Sequence, residues 1–475
     1  MAACPRAGCF LALFMLFGMP AVLIPALLML VLAGGVTASA QVVTNSADSG
    51  PGTLRSAITN AASGAVLTFA PGLSGATITL SNTLTINTNL TIDASALPGG
   101  LQINGNGSVQ IFNVASNTFV FLNSLTITNG NAATGGFGGG IFNSGTLTLN
   151  QCTLSGNSAT GTRGYAGGGG GIDNEGTLTL NQCTLSGNYA VFGGGISNNG
   201  TLTLNQCTLS GNSASGYGGF GGGISNGGTL TLNQCTLSGN TAGSGGGGGI
   251  WSDDTLTLNQ CTLSGNSSYD GGGIYNDYEA TLALTNTIIG GDSVSSGPNI
   301  YNFATLTYGG SNLVQSVYND GGVTITGPAP LTNAPDLAPL GNYGGPTQTM
   351  PPLPGSPAIG AGSVAANTFS TDQRGYPRTQ NGLIDLGAVE LQSPAANPPV
   401  LENITVPAGG GNGLQFTFTS ASVADFTVLT ATNLSLALTN WTVLGEVQQV
   451  APGQYQFTDP QAATNRARFY RVRSP

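Results

Sequence analysis

Downstream of about residue 75 the chain alternates between polar and apolar positions. Thr201-Leu202-Thr203-Leu204 alternates strictly, and so does Cys207-Thr208-Leu209-Ser210. A period of two predicts short strands with one buried face. Ile196 begins a third strand. Asn199-Gly200, Asn205-Gln206 and a glycine-rich stretch separate the three, and Asn and Gly tolerate the positive φ of tight corners. No segment shows a helical period. Three strands and three corners within 24 residues describe one turn of a parallel β-helix. Ile196, Leu202, Leu204, Cys207 and Leu209 are then expected to point inward.

The coil repeats. TLTLNQCTLSGN occurs five times unchanged, at 146–157, 177–188, 201–212, 229–240 and 255–266, and a degenerate copy begins at Thr281. Cys152, Cys183, Cys207, Cys235 and Cys261 mark the period, with separations of 31, 24, 28 and 26. GGGI precedes each copy, ending at Ile141, Ile172, Ile196, Ile224, Ile250 and Ile274. Stacked coils place like residues over like every ~4.8 Å, and a lone coil has no core of its own. The length variation is expected at one corner, with loops such as 159–168 projecting from one edge. Imperfect coils extend the pattern over 75–327, about ten turns and roughly 50 Å.

Other segments differ. Arg6 is the only charge before Asp48, and an apolar run from Cys9 to Ala33 carries Pro20 and Pro25. Ala38-Ser39-Ala40 closes it as a small-x-small site, so 1–40 reads as a secretory signal cleaved before Gln41, the alternative being an uncleaved anchor. Residues 41–74 read as an N-terminal cap, 328–392 as a separate region after the helix, and Pro/Ala-rich 393–400 as a linker. In 401–475, alternating runs at 414–419, 426–430, 441–444, 455–458 and 469–472 predict a small β-sandwich. The expected fold is all-β: a right-handed parallel β-helix of the pectin-lyase-like type, followed by that sandwich.

Composition removes much chemistry. Charged residues are 6%, Lys and His are absent, and the net charge is −10. This excludes His triads, His metal ligands, a P-loop lysine and a Schiff base. It also argues against a nucleic-acid partner, which needs clustered basic residues.

The GGGI and LSGN markers resemble the GGA[ILV] and FxxN repeats of chlamydial polymorphic outer-membrane proteins, with Leu154, Leu185, Leu209, Leu237 and Leu263 in place of Phe. The segment from Ser49 to Ile58 resembles the SLREAI opening of bacterial β-helix surface proteins; Arg55, Ala57 and Ile58 match and Ser56 departs. Residues 335–391 resemble the bacterial choice-of-anchor Q region at Gly344-Gly345-Pro346-Thr347, Pro354-Gly355-Ser356-Pro357-Ala358-Ile359, Asp372-Gln373-Arg374-Gly375 and Asp385-Leu386-Gly387-Ala388-Val389-Glu390. The C-terminal module resembles those of large secreted verrucomicrobial-type proteins, ending Arg468-Phe469-Tyr470-Arg471-Val472; with Arg466 and Arg473 these arginines suggest sorting or attachment. Together the resemblances imply an exported, secreted or cell-surface bacterial protein, attached or released, and imply no activity. Eighty residues are too few to close a dozen-strand membrane barrel, which argues against a self-contained autotransporter.

Candidate sites are few. The five perfect copies have no charged residue in any strand, and Arg163 has no acidic neighbour in sequence. Aligned on the preceding isoleucine, Asp253 and Asp277 share a corner in adjacent coils, near Asp254 and Glu279. These four acids are a weak Ca²⁺ candidate beside the plainer reading of solvated corner acids. No other cofactor is expected. The five cysteines are expected as a reduced core stack rather than disulfides. Outward Thr146/Thr148, Thr177/Thr179, Thr201/Thr203, Thr229/Thr231 and Thr255/Thr257 are expected to form a flat T-x-T face, and Thr153/Ser155 with its equivalents a second. Thr favours strands in any case, but regular T-x-T arrays also resemble ice-binding solenoids. The expected function is a non-catalytic, adhesin-like or spacer solenoid, whose partners are a cell envelope or an extracellular glycan or protein surface. The alternatives are a polysaccharide lyase or hydrolase, and glycan, ligand or ice binding on the Thr face.

Overall fold

The computed structural model describes residues 40–473 except 133–135, 161–166, 217, 295–297, 393–400, 406–412, 421–425, 434–435, 437–440, 452–453, 461 and 463–467. Residues 1–39 of the expected signal, the linker, Arg163 and Arg466 therefore lie outside the described residues.

The chain winds as a parallel β-solenoid of about ten turns. One coil holds β1 (Ile196–Asn198), β2 (Thr201–Asn205), β3 (Thr208–Ser210) and β4 (Ser213–Ala214). Each pairs in parallel with its counterparts above and below, so the strands of equal rank form walls. The β2 wall has 12 strands, the β1 and β3 walls 10 each, and the β4 wall 6. Register is residue on residue: Leu178 pairs Leu202, which pairs Leu230. Four walls replace the expected three. The missing one is two residues long, too short to show a period, and betrays itself only by buried Ala190 and Ala214.

The bore is filled as the alternation predicts. Ile196, Leu202, Leu204, Cys207 and Leu209 are fully buried, and so are their equivalents in the neighbouring coils. The cysteines are free and stacked. The Cys183 backbone N–H donates to Cys207 Sγ at 3.4 Å, and Cys207 Sγ–H donates to the Leu180 carbonyl at 3.4 Å. The residue before each cysteine turns the corner with positive φ, 51° at Gln151 and 55° at Gln206. Polar columns stack as well. In the buried ladder after β3, the Asn157, Asn188, Asn212 and Asn240 side chains each donate to the next Asn Oδ1 at 2.9–3.0 Å. The ladder ends on Asp292, whose Oδ1 accepts from both Asn266 N (2.9 Å) and Asn266 Nδ2 (3.0 Å).

A short helix, α1 (Leu54–Thr59), closes the N-terminal end, contrary to the expectation of no helix. Thr53 caps it by accepting from Ser56 N, and Leu54, Ala57 and Ile58 turn into the first coil. Six residues are too few to display a 3.6-residue period. Arg55 ties the helix down: it donates to Asp48 Oδ1 at 2.6 Å and to the Asn82 and Thr83 carbonyls at 2.6 and 3.0 Å.

The C-terminal module is antiparallel. Four strands (Glu402–Thr405, Leu414–Thr419, Gln448–Ala451, Gln454–Asp459) form one sheet and three (Thr427–Ala431, Thr442–Glu446, Phe469–Arg473) another. Phe416, Phe418, Phe426, Val428, Val447 and Tyr455 make its core.

Candidate binding faces of the solenoid

The predicted T-x-T face is present on the β2 wall. Thr146, Thr177, Thr201 and Thr229 pair in one outward column; Thr148, Thr179, Thr203, Thr231 and Thr257 pair in a second. Thr255 begins its strand beside them and pairs forward to Thr281. A third column joins them, at positions expected as corner residues. Asn150, Asn181, Asn205, Asn233 and Asn259 each donate from Nδ2 to the preceding Asn Oδ1 at 2.8–3.0 Å. The face is therefore T-x-T-x-N, uncharged over five coils, with about 6.8 Å between columns and ~4.8 Å between rows. Its amides are pinned to each other, so their orientation is fixed before any ligand arrives. Phe119 and Phe121, both exposed, continue the two threonine columns one coil toward the N-terminus.

The second expected face is largely covered. Thr153 and Thr184 stay half-buried, but Thr208, Thr236 and Thr262 are fully buried. Residues 335–391 fold back along the β3 wall and cover them. Thr208 Oγ1 donates to the Gln348 carbonyl at 2.5 Å, and Thr236 Oγ1 to Gln373 Oε1 at 2.6 Å. The Ala388 N–H donates to Thr262 Oγ1 at 2.9 Å. Gln206, Gln234 and Gln260 donate to Asp372 O, Thr371 O and Asn367 Oδ1. Identical copies carry no mark of which coils a distant segment will cover.

The residues resembling the anchor region form a buried knot that shapes this strap. Arg374 pairs with Asp372 (Nη2–Oδ2 2.9 Å), both side chains being fully buried. Arg378 Nη2 donates to the Asp385 and Gly387 carbonyls at 2.7 Å each. The Asp385 N–H donates to Glu390 Oε2 at 2.7 Å. Burial, reinforced by the Asp385 charge, pushes Glu390 up to about 8.

The four predicted acids lie where the isoleucine alignment puts them. The Asp253 N–H donates to Asn226 O and the Asp277 N–H to Ser252 O, one coil apart at the same corner. Burial raises the Asp253 carboxyl, and the Asp277 and Asp254 charges add to it. Asp254 Oδ1 accepts from Thr255 Oγ1, and Asp277 Oδ1 from Tyr278 N. Glu279 follows Asp277 by two residues in the same corner, with φ at 69°. Among the described residues no three His, Cys, Asp or Glu side chains converge to hold a metal ion.

The β1 wall carries what the sequence reading missed. Its outward column runs Phe142, Asp173, Ser197, Ser225, Trp251, Tyr275, Tyr301 and Tyr318 in register. Rings stack along it, Tyr275 on Tyr301 at 5.5 Å and Tyr301 on Tyr318 at 4.5 Å, and Phe220 of the glycine-rich stretch packs tilted against Trp251 at 4.2 Å. Asp173 interrupts the column, fully buried, its oxygens without hydrogen-bond partners; burial and then the Glu175 charge push it to about 7. The residue after the isoleucine that opens each coil was the available signal, since Trp251 and Tyr275 follow a GGGI and Tyr301 follows Ile300. Corner length also varies at a second place: Tyr278-Glu279 and a turn at 320–323 are insertions after β1-type strands, not in the glycine-rich stretch.

No family model matches the chain, and no curated protein matches it. Among solved structures, a crystal structure of a pectate lyase is similar at 14% identity and a TM-score of 0.44, covering 75% of this chain and 97% of that one. Nothing about activity follows from a likeness at this level.

Proposed function

We propose that the chain is a non-catalytic solenoid of the cell surface or extracellular space, adhesin-like, that applies its T-x-T-x-N face to a glycan or protein surface. The face itself is the observation that supports this reading: two threonine columns and a hydrogen-bonded asparagine column, in register and uncharged over five coils. Such a surface suits extended neutral partners, because it offers regularly spaced hydroxyl and amide groups without a charge to be desolvated. A lyase would need a base beside its acids. Residues 41–327 contain two basic residues, Arg55 and Arg163, and Arg55 is occupied at the N-terminal end.

Export through the first forty residues, and attachment through residues 335–391 and the C-terminal module, belong to the same proposal. Binding to insoluble glycans, compared between the parent and Thr203→Lys, tests the reading. Loss of binding in a variant that folds normally supports it. Equal binding by both overturns the assignment to this face, and depolymerisation of any glycan overturns the non-catalytic part. An ice-binding role would instead show as thermal hysteresis lost in the same variant.

A further inference from the structure

The coil corners that follow the β1-type strands are short where the repeat is perfect. Ile196 is followed five residues later by Thr201, and Ile250 by Thr255. After Ile274 the corresponding threonine is Thr281, because Tyr278 and Glu279 are inserted. The next corner, Phe303-Ala304 before Thr305, is short again. The one after it, Asp320-Gly321-Gly322-Val323, is long. Two protruding turns therefore straddle one short corner. Between them lies a cleft of about 340 Å³, with Tyr278 and Glu279 on one side, Asp320 and Gly321 on the other, and Phe303 and Ala304 between.

We propose that this cleft binds an alkylated ammonium group, such as a trimethylammonium head. Its lining combines two aromatic rings with two carboxylates and no basic group. The Tyr278 and Phe303 rings lie 4.7 Å apart at 33°. Phe303 is held in place by Tyr301 at 5.0 Å and Tyr318 at 6.3 Å, whereas Tyr278 is 61% exposed and open to a ligand. Ring faces attract diffuse organic cations, and carboxylates supply the countercharge. Anions are repelled by Glu279 and Asp320. A neutral guest of the same shape leaves both carboxylates without a countercharge. A small metal ion gains little from the rings, and no metal-holding trio is found among the described residues. The turn also stores strain, since Glu279 is a non-glycine residue at φ 69°.

The test is calorimetric titration of the full chain with choline, beside its neutral dimethylbutanol isostere and calcium chloride. The expected result is saturable one-to-one choline binding, with the isostere weaker by about tenfold or more. Tyr278→Ala, at an exposed position that leaves the core intact, is expected to weaken choline about tenfold. Glu279→Gln with Asp320→Asn should do the same. Phosphatidylcholine vesicles distinguish the source of the group: vesicle binding assigns a lipid surface, and choline binding alone assigns a free solute. Absence of saturation, equal affinity for the isostere, or choline binding that calcium displaces and Tyr278→Ala leaves unchanged overturns the proposal. Since Thr203 lies several coils from the cleft along the β2 wall, Thr203→Lys should leave choline binding intact whatever it does to glycan binding.

Discussion

Gln373 Nε2 donates to Thr208 Oγ1 at 3.0 Å across 165 residues of sequence. The same amide reaches the Cys207 carbonyl at 3.2 Å and Thr347 Oγ1 at 3.0 Å, and its oxygen accepts from Thr236. One buried glutamine thus fastens the strap to two successive coils. Gln373→Ala leaves several buried partners unsatisfied at once and should destabilise the protein by about 2–4 kcal/mol. Denaturant unfolding followed by circular dichroism measures this. A change below about 0.5 kcal/mol would mean the strap does not contribute to global stability.

A second expectation concerns the bore. Leu209 is fully buried and sits between Leu185 and Leu237 in the β3 wall. Leu209→Ala should cost about 2–5 kcal/mol, because fixed registers above and below prevent collapse into the space. The exposed control Thr201→Ser should shift the unfolding midpoint little.

The third concerns pH. Asp173 and Asp292 are pushed by burial to about 7, and Glu390 to about 8, against ordinary values of 3.8, 3.8 and 4.5. Their protonated forms are favoured in the folded chain. The stability they contribute is therefore complete below about pH 4 and lost as pH rises toward 7–8. Asp292→Asn keeps an acceptor for Asn266 and removes the buried charge. The variant should match the parent near pH 4 and exceed it at pH 8, on the order of 2–4 kcal/mol. Equal pH profiles for the two proteins would refute the linkage.

The fourth concerns the asparagine ladder inside the corner. Asn212 donates to Asn240 Oδ1 and to the Leu185 carbonyl, and its own Oδ1 accepts from Asn188 N and Nδ2. Asn212→Ala should cost about 2–3 kcal/mol. Asn212→Asp should cost more at pH 8 than at pH 4, since it buries a carboxylate in the middle of the column. Thermal melts at the two pH values separate the variants.

How far the sequence could be read depends on scale. The Leu202, Leu204 and Leu209 columns were legible because alternation and exact repetition coincide in them. The T-x-T array was legible for the same reason, although its asparagine column looked like a mere corner. Buried Thr208 and half-buried Thr153 occupy identical local contexts, so no local pattern separates them. What covers Thr208 arrives 140 residues later, at Gln348. Helix α1 and the β4 wall are shorter than the periods that would reveal them. The aromatic column and the cleft were hidden differently. Trp251, Tyr275 and Phe303 vary from coil to coil, and attention to invariant positions passes over residues that vary.

Among the described residues, the strap's glutamine and asparagine clasps fall on the coils that carry Gln206, Gln234, Gln260 and Asn286. Units gained or lost by recombination among the five perfect copies are therefore not equivalent. A copy spliced in ahead of Cys183 would lengthen the rod by one rung and disturb no clasp. A copy spliced in between Cys207 and Cys261 would carry each anchoring glutamine out of step with its distant partner. Length in this molecule is free to drift at one end and is locked at the other.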